Sequence, residues 1–350
     1  MRGGRLEVDE VADPVPGPGQ VLVRTLACGI CGSDLHTLKH AHRMASLSRD
    51  VAASLPGDPM SLFGFDPDRD MVMGHEFAVE VLELGPDTAG VAPGDVVVSM
   101  PIVADDRRIH AVGYSNDYPG AYAERLLLSA GLTVPVPNGL EPRRAALTEP
   151  MAVGVHAVGR SGATPGHAAM VVGAGPIGLA VIAALRQAGV APVVAADFSP
   201  RRRQLAAHMG ADEVVDPREE PAIEAWRRVD GMRPLVLFEA VGVPGMIHQA
   251  MQDAPRGTEI VVVGVCMEPD QVQPFVGIGK ELTIRFALGY DPVEFAQALG
   301  AIAEGAVDVD PLITGVVPIE GVPQAFEDLA DPEAHAKIVV EPRLADLSAL

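Results

Sequence analysis

The sequence predicts an α/β protein in two parts, a doubly wound parallel sheet and a mainly β section beside it. Three observations carry this. From about residue 168 to 289, short apolar runs alternate with helical runs. Those apolar runs are continuous rather than alternating, as strands buried on both faces are. The first 150 residues or so instead carry short apolar runs cut by Pro- and Gly-rich turns.

In the first section, Val21–Leu26 follows the turn-rich Pro14–Gly19 and reads as a strand. Phe77–Leu84 and Asp95–Ser99 are further strands, bounded by Gly85-Pro86 and Pro93-Gly94. Residues 40–73 lack a strand period and contain Pro56-Gly57, Asp58-Pro59 and Asp66-Pro67, so they form a long excursion with a short helix around Ala45–Leu55. Its apolar Met60, Leu62, Phe63 and Phe65 line either a substrate pocket or the protein's own surface. The second section begins with the strand Ala169–Val172 and the helix Ile177–Ala188. Val193–Ala196, Glu213–Val215, Leu235–Phe238 and Glu259–Val265 are its later strands, with helices between them. Past Gly289 the alternation weakens to one clear helix, Pro292–Glu304, and a strand around Ile338–Val340.

A chain of 350 residues can bury a large core, and two domains are expected. Its formal charge of −21 repels phosphate backbones and anionic lipid heads, which argues against nucleic-acid and membrane partners. No apolar run reaches the roughly 18 residues of a membrane span, and the first residues do not read as a signal peptide. Three cysteines, Cys28, Cys31 and Cys266, cannot build a disulfide framework. These features fit a cytoplasmic protein.

Gly173-Ala174-Gly175-Pro176-Ile177-Gly178 follows a strand and opens a helix. In that context the glycines permit a tight turn and let backbone N–H groups and the helix N-terminus approach a pyrophosphate. Asp197 ends the next strand, 19 residues after Gly178, where a carboxylate accepts the ribose hydroxyls of an adenosine. This is a Rossmann dinucleotide site. Asp197 favours NAD over NADP, because it repels a 2′-phosphate. Arg201, Arg202 and Arg203 are the counter-signal, able to hold that phosphate or to form a solvated helix face. The cofactor site also takes in Arg202, and Val241 with Val263-Gly264-Val265 at the carboxyl ends of later strands.

Cys28-Gly29-Ile30-Cys31-Gly32-Ser33-Asp34-Leu35-His36 packs a thiol, a hydroxyl, a carboxylate and an imidazole into nine residues. Gly74-His75-Glu76 and Thr148-Glu149-Pro150 add further ligand types. A catalytic zinc needs three protein ligands, often mixed S, N and O, and an open position. Cys31, His75 and Glu149 could supply such a set. Singly, each also has an ordinary reading: a buried thiol, a satisfied loop histidine, and an acid at a helix N-terminus.

These motifs, in order along the chain, resemble the zinc-dependent medium-chain dehydrogenase/reductase superfamily, in its branch of sorbitol and threonine dehydrogenases. Pro14–Leu26 resembles the family's first strand, Cys31–His36 its first zinc-ligand motif and Gly74-His75-Glu76 its second. Gly120–Glu124 resembles its Gly-Gly-Tyr-Ala-Glu turn, Glu149–Val153 its Glu-Pro-Leu-Ala segment, and Asp310–Thr314 a C-terminal segment of alcohol dehydrogenases. The resemblance implies a GroES-like catalytic domain over 1–152 and 290–350, with an NAD-binding Rossmann domain at 153–289 between them. It implies zinc on Cys31, His75 and Glu149, with Glu76 as the alternative carboxylate. Asp34 would hydrogen-bond the other ring nitrogen of His75. Ser33 would take the alcohol proton and pass it towards His36. Cys28 has no ligand role and reads as a core thiol.

Two departures stand out. Residues 76–148 contain no cysteine, so the family's structural zinc is not expected, and 43 residues separate Cys31 from His75, more than the family pattern. The reading is therefore an NAD-dependent alcohol dehydrogenase with one catalytic zinc, moving a hydride between NAD(H) and a secondary or polyol-like alcohol/carbonyl pair. The resemblance implies a homodimer or homotetramer acting on a small molecule. Two rivals are a zinc-free NADPH quinone or enoyl reductase of the same fold, and a non-catalytic NAD-binding protein. The Cys31 and His75 motifs argue against the first, and the Ser33/His36 relay against the second.

Overall fold

The computed structural model describes residues 1–54, 64–106 and 108–343. Its chain divides into unit 1, formed by Met1–Glu149, Ile313–Asp331 and the chain from Lys337 on, and unit 2, formed by Pro150–Leu312 and Pro332–Ala336. Unit 1 opens with β1 (Gln20–Gly29), α1 (Gly32–Ser54), β2 (Glu76–Leu84), β3 (Val96–Ser99), β4 (Ile102–Ala104), β5 (Ile109–Ala111), β6 (Arg125–Ser129), β7 (Thr133–Pro135) and α2 (Pro142–Ala145). After α3 (Thr148–Arg160), unit 2 runs β8 (Ala168–Val172), α4 (Pro176–Gln187), β9 (Val193–Ala196), α5 (Pro200–His208), β10 (Glu213–Val215) and α6 (Ala222–Val229). It continues with β11 (Leu235–Glu239), α7 (Met246–Asp253), β12 (Glu259–Val262), α8 (Pro274–Lys280), β13 (Thr283–Phe286) and α9 (Pro292–Ala303). Unit 1 resumes with β14 (Ile313–Val317), α10 (Val322–Asp328) and β15 (Lys337–Val340).

Unit 1 is built on a sheet of order β14-β15-β1-β2-β3-β7, with β6 also paired to β1. All its pairs are antiparallel except β14 with β15. Val21, Val23, Phe77, Val79, Val81, Val97, Leu126 and Leu128 form its core. The two ends of β1 have different neighbours. Gln20–Arg24 pairs with β6, while Cys28 and Gly29 pair with Val340 and Val339 of β15.

Unit 2 holds a parallel sheet of order β10-β9-β8-β11-β12-β13, the doubly wound arrangement that places a ligand at its strand reversal. Its central strands β8 and β9 are apolar throughout, as strands covered on both faces are, whereas the edge strand β13 is mostly exposed. α4 follows the same logic: Gly175 caps it, Pro176 takes the first turn, and Gly178–Leu185 are all buried. Phe238 in β11 is fully buried, and truncating such a side chain to Ala costs about 3–5 kcal/mol.

The excursion differs from its sequence reading. Instead of a separate helix around Ala45–Leu55, α1 continues from the Cys31 motif to Ser54, with one break at His40 (φ −134°, ψ 34°). Met60, Leu62 and Phe63 lie outside the described residues. Phe65 is buried in a cluster with Ile30, Met71, Met73, Tyr114 and Phe326.

The second domain boundary also falls elsewhere, after Leu312 rather than at 290, and the first falls after Glu149 rather than 152. Side chains tie α9 and the turn after it into unit 2: His156 Nδ1 lies 2.9 Å from Glu294 Oε2 in α9, and Gln187 Nε2 donates to Ala306 O beyond its end at 2.9 Å. Nothing in the periodicity of residues 290–312 reports such long-range contacts.

Candidate metal centre and cofactor turn

Cys31, His75 and Glu76 each bring a ligand atom to within 4.8 Å of the others, and no other such group exists among the described residues. The backbone explains the gathering. β1 and β2 pair antiparallel with Gly29 opposite Glu76, so the chain leaving β1 at Cys31 meets the chain entering β2 at His75. Gly29 has no side chain for a reason: a methyl there would overlap Glu76 Oε2. Gly74, at φ +99°, lets the chain turn where an added Cβ would lie 2.7–2.9 Å from Tyr122. Glu149 does not join the trio. It is half-buried in the first turn of α3, close enough for its charge to act on Lys337.

Lys337 is the residue the sequence reading missed. From β15 its Nζ donates to both oxygens of Glu76, at 2.7 and 2.8 Å, and to Ile30 O at 3.0 Å. Glu76 is fully buried and the Lys337 side chain only 2% exposed, so each charge depends on the other. Burial works against the ammonium, but the Glu76 carboxylate outweighs it and holds the Lys337 pKa above its ordinary value. A lysine inside the buried-type run Ala336–Val340 was the available signal.

Asp34 is also fully buried. Its Oδ2 accepts from the Cys31 N–H (3.1 Å) and the Tyr122 O–H (2.6 Å). The hydrogen bond expected from His75 is not formed: Nδ1 lies 3.4 Å from Oδ1, and both atoms lack a hydrogen-bond partner. The two bonds on Oδ2 fix the carboxylate plane, leaving Oδ1 to face His75 Nδ1 at 3.4 Å. With Nδ1 on the Asp34 side, Nε2 is the ring nitrogen free for a metal. A thiol, an imidazole and a carboxylate in this compass fit a zinc site.

Ser33 and His36 stand three residues apart on the first turns of α1, on one face. Tyr114 donates to Ser33 Oγ at 2.7 Å, and its ring lies 5.2 Å from that of His75. Burial raises the Tyr114 pKa, so the phenol remains a donor. Burial, then the nearby His40 and Lys39, lowers the pKa of His36 and leaves it a neutral acceptor near pH 7. The cysteine-free segment is stitched by His110, whose Nε2 lies 2.9 Å from Asp105 Oδ2 and whose Nδ1 lies 3.4 Å from Ser115 Oγ.

In unit 2 the glycine turn has the form its sequence implies. Gly173 has φ +94°, and a Cβ there would lie 2.9 Å from Val241 Cγ2. A Cβ on Gly178 would overlap Gly173 O, whereas one on Gly175 would meet nothing within 4 Å. That open space, beside the first-turn residues Pro176 and Ile177 of α4, suits a phosphate. Asp197 accepts from Ala174 N and Ser199 N, at 2.8 Å each, leaving lone pairs on both oxygens for further donors. Arg202 Nη1 lies 4.0 Å from Asp197. Arg203 Nη1 donates to the backbone carbonyls of Asp197 and Phe198 (2.8 and 2.9 Å) and to Asp216 Oδ2 (3.1 Å), not to the Asp197 carboxylate. The sequence reading also missed Glu239, which ties the other cofactor candidates together. Its carboxylate accepts from Val241 N and its backbone carbonyl from Val263 N and Gly264 N, while Val265 is 46% exposed just beyond.

A dinucleotide-type sheet and a thiol–imidazole–carboxylate trio in one chain define a class, the oxidoreductases. The family comparisons place it further. Residues 17–138 match the alcohol dehydrogenase GroES-like domain and residues 176–304 the zinc-binding dehydrogenase domain. The (R,R)-butanediol dehydrogenase of Bacillus subtilis is 30% identical over 96% of each chain. The sorbitol dehydrogenase of Bos taurus is 30% identical over 93% of this chain and 90% of its own. A solved structure from Sinorhizobium meliloti 1021, classed as a zinc-binding dehydrogenase and bound to NADP, superposes with a TM-score of 0.79. It is 28% identical and covers 97% of this chain and 96% of its own. The chain belongs to the zinc-dependent medium-chain dehydrogenase/reductase superfamily and is an oxidoreductase of the alcohol and polyol dehydrogenase type.

Proposed function

We propose that this chain is an NAD-dependent alcohol dehydrogenase with one catalytic zinc, acting on a secondary or polyol-like alcohol or the matching carbonyl compound. The observation that carries the reading is the trio of half-buried Cys31 with buried His75 and Glu76, gathered beside Ser33. Those three residues would hold the metal. Glu149, half-buried outside the trio, would be a neighbour rather than a ligand. Zinc would supply a Lewis acid that lowers the pKa of a bound alcohol oxygen, as it lowers that of bound water from ~15.7 towards ~7, and NAD would accept the hydride.

The chain's own residues handle the proton and the orientation. Ser33 Oγ accepts the alcohol proton as it passes its own onward, and neutral His36 receives it towards solvent. Asp34, Tyr122 and the Cys31 N–H fix the start of α1, and with it Ser33. Lys337 supplies the counter-charge and hydrogen bonds for the buried Glu76 carboxylate. Gly173, Gly175, Pro176, Ile177 and Gly178 would seat the pyrophosphate, and Asp197 the ribose. Val241, Val263, Gly264 and Val265 would flank the remainder. Arg202, already near Asp197, is the group to watch for a 2′-phosphate. The butanediol and sorbitol dehydrogenases act on alcohols of this class, which supports the substrate assignment.

Chelation is the deciding experiment. Removing zinc should abolish alcohol oxidation, and adding it back should restore the activity. Full turnover in protein shown to be metal-free overturns the proposal. The acid limb of the kcat/KM profile for oxidation should lie below pH 6.5, because protonated His36 cannot receive a proton.

The surface of unit 2 supports the proposed assembly. β13 is an edge strand, and Phe286 (67% exposed), with Leu288, Phe275 and Ile278 nearby in sequence, leaves apolar surface on that side. A second copy of the chain covering it gives a homodimer or homotetramer, and a monomer by light scattering at micromolar concentration counts against this. No described helix is long and apolar enough to cross a membrane. The compartment we propose is the cytoplasm, where the free thiols of Cys28, Cys31 and Cys266 stay reduced.

A further inference from the structure

We propose that Tyr114 is a positioning residue for the reaction, fixing the rotor of the Ser33 hydroxyl by filling one of its two acceptor sites and leaving the other acceptor site and the proton for the relay. This rests on the relay role of Ser33 proposed above. A serine hydroxyl has one proton and two acceptor sites, and its rotor is otherwise free among staggered positions. The Tyr114 O–H, donating at 2.7 Å, fills one acceptor site and keeps the serine proton out of that direction. The remaining orientations of Ser33 are those that can face an alcohol or carbonyl oxygen. A phenol that donates into the serine also polarises the serine's own O–H, making it a better donor in carbonyl reduction.

Tyr114 is itself held firmly. It is 6% exposed, packed in the cluster with Phe65, Met71 and Met73, and its ring lies 5.2 Å from the His75 ring. Its loop is locked from two residues away. Asn116 Oδ1 accepts from Asp66 N at 2.8 Å, and Asn116 Nδ2 donates to the carbonyls of Asp66, Arg69 and Asp70 at 3.0–3.3 Å. The returning half of the excursion therefore clamps the loop that presents the phenol. Through that clamp, the lengthened segment between Cys31 and His75 steadies a hydroxyl against the relay.

The test is a cycle of Tyr114→Phe, Ser33→Ala and the double variant, since Phe keeps the ring and removes only the donor. Tyr114→Phe should lower kcat on the order of 10-fold, about one hydrogen bond's worth of orientation. Zinc content, the NADH affinity read by fluorescence, and the KM for NAD should stay at wild-type values. In the Ser33→Ala background the same substitution should change kcat by less than about 2-fold, because the tyrosine then has nothing to orient.

Wild-type kcat in Tyr114→Phe overturns the proposal. So does an undiminished 10-fold loss in the Ser33→Ala background, which would make Tyr114 a direct substrate contact. Loss of zinc from Tyr114→Phe overturns it too, since the residue would then act through His75. If Ser33→Ala alone turns over like wild type, the relay reading falls, and that result is distinct from the other three.

Discussion

The proposed cofactor turn of unit 2 and the proposed metal centre of unit 1 would solve the problem of binding charge in opposite ways. The turn is made of backbone. Its features from Gly173 to Asp197 fall in one strand–helix–strand unit, and its polarity comes from N–H groups and a helix N-terminus. The centre is made of side chains. Cys31, Asp34, His75, Glu76 and Lys337 come from distant stretches of sequence, and Asp34, Glu76 and Lys337 are buried charges or potential charges. A backbone site is forgiving at most positions and intolerant at its glycines. A side-chain site is fragile at every member, since removing one leaves another unpaired in a low dielectric.

The largest effect should come from Cys31→Ala. Zinc binding and alcohol turnover are lost while NADH still binds, because the turn owes nothing to the thiol. Collapse of NADH binding in that variant would break the comparison by showing that the two sites are not independent. Next is Lys337→Met, which strands the Glu76 carboxylate and should cost about 3–5 kcal/mol in urea unfolding. Adding Glu76→Gln should recover a good part of it. If the two substitutions add instead, the pair is not the unit described.

Asp197→Ala should act on the other site alone. Wild type is expected to favour NAD over NADP in kcat/KM, and the variant should narrow that preference by about 10-fold, or ~1.4 kcal/mol. A wild-type enzyme that prefers NADP would hand the assignment to Arg202. Smallest of all is the stability change in Gly175→Ala, below about 1 kcal/mol, since the added methyl meets no protein atom. Its NADH affinity should nonetheless fall. Unchanged affinity would mean that the space beside Gly175 holds no phosphate.

The same contrast explains what could be read from the sequence. The glycine turn and Asp197 were legible because their spacing is their geometry. Cys31, His75 and Glu76 were legible only as candidates, since no periodicity says that residues separated by 43 others will meet; the resemblance supplied that. It favoured Glu149, whereas the strand register of Gly29 and Glu76 brings Glu76 to the trio. Lys337, Tyr114 and Tyr122 act through long-range packing and went unremarked as site residues. α9 was read correctly as a helix but assigned to the other domain, because its anchors, His156 and Gln187, lie more than a hundred residues upstream.

The position of β15 bears on how the protein is made. β1 is synthesised first, yet the second partner for its Cys28–Gly29 end, on the edge away from β2, and the counter-charge for Glu76, arrive only with residues 337–340. Unit 2 lies between them in the chain, so it can fold on the ribosome while unit 1 waits with part of β1 unpaired and a buried acid uncompensated. An unpaired edge of this kind invites wrong partners. A nascent chain stalled just short of β15 should therefore already protect β8–β12 from proteases while its Cys31 thiol is still open to alkylation.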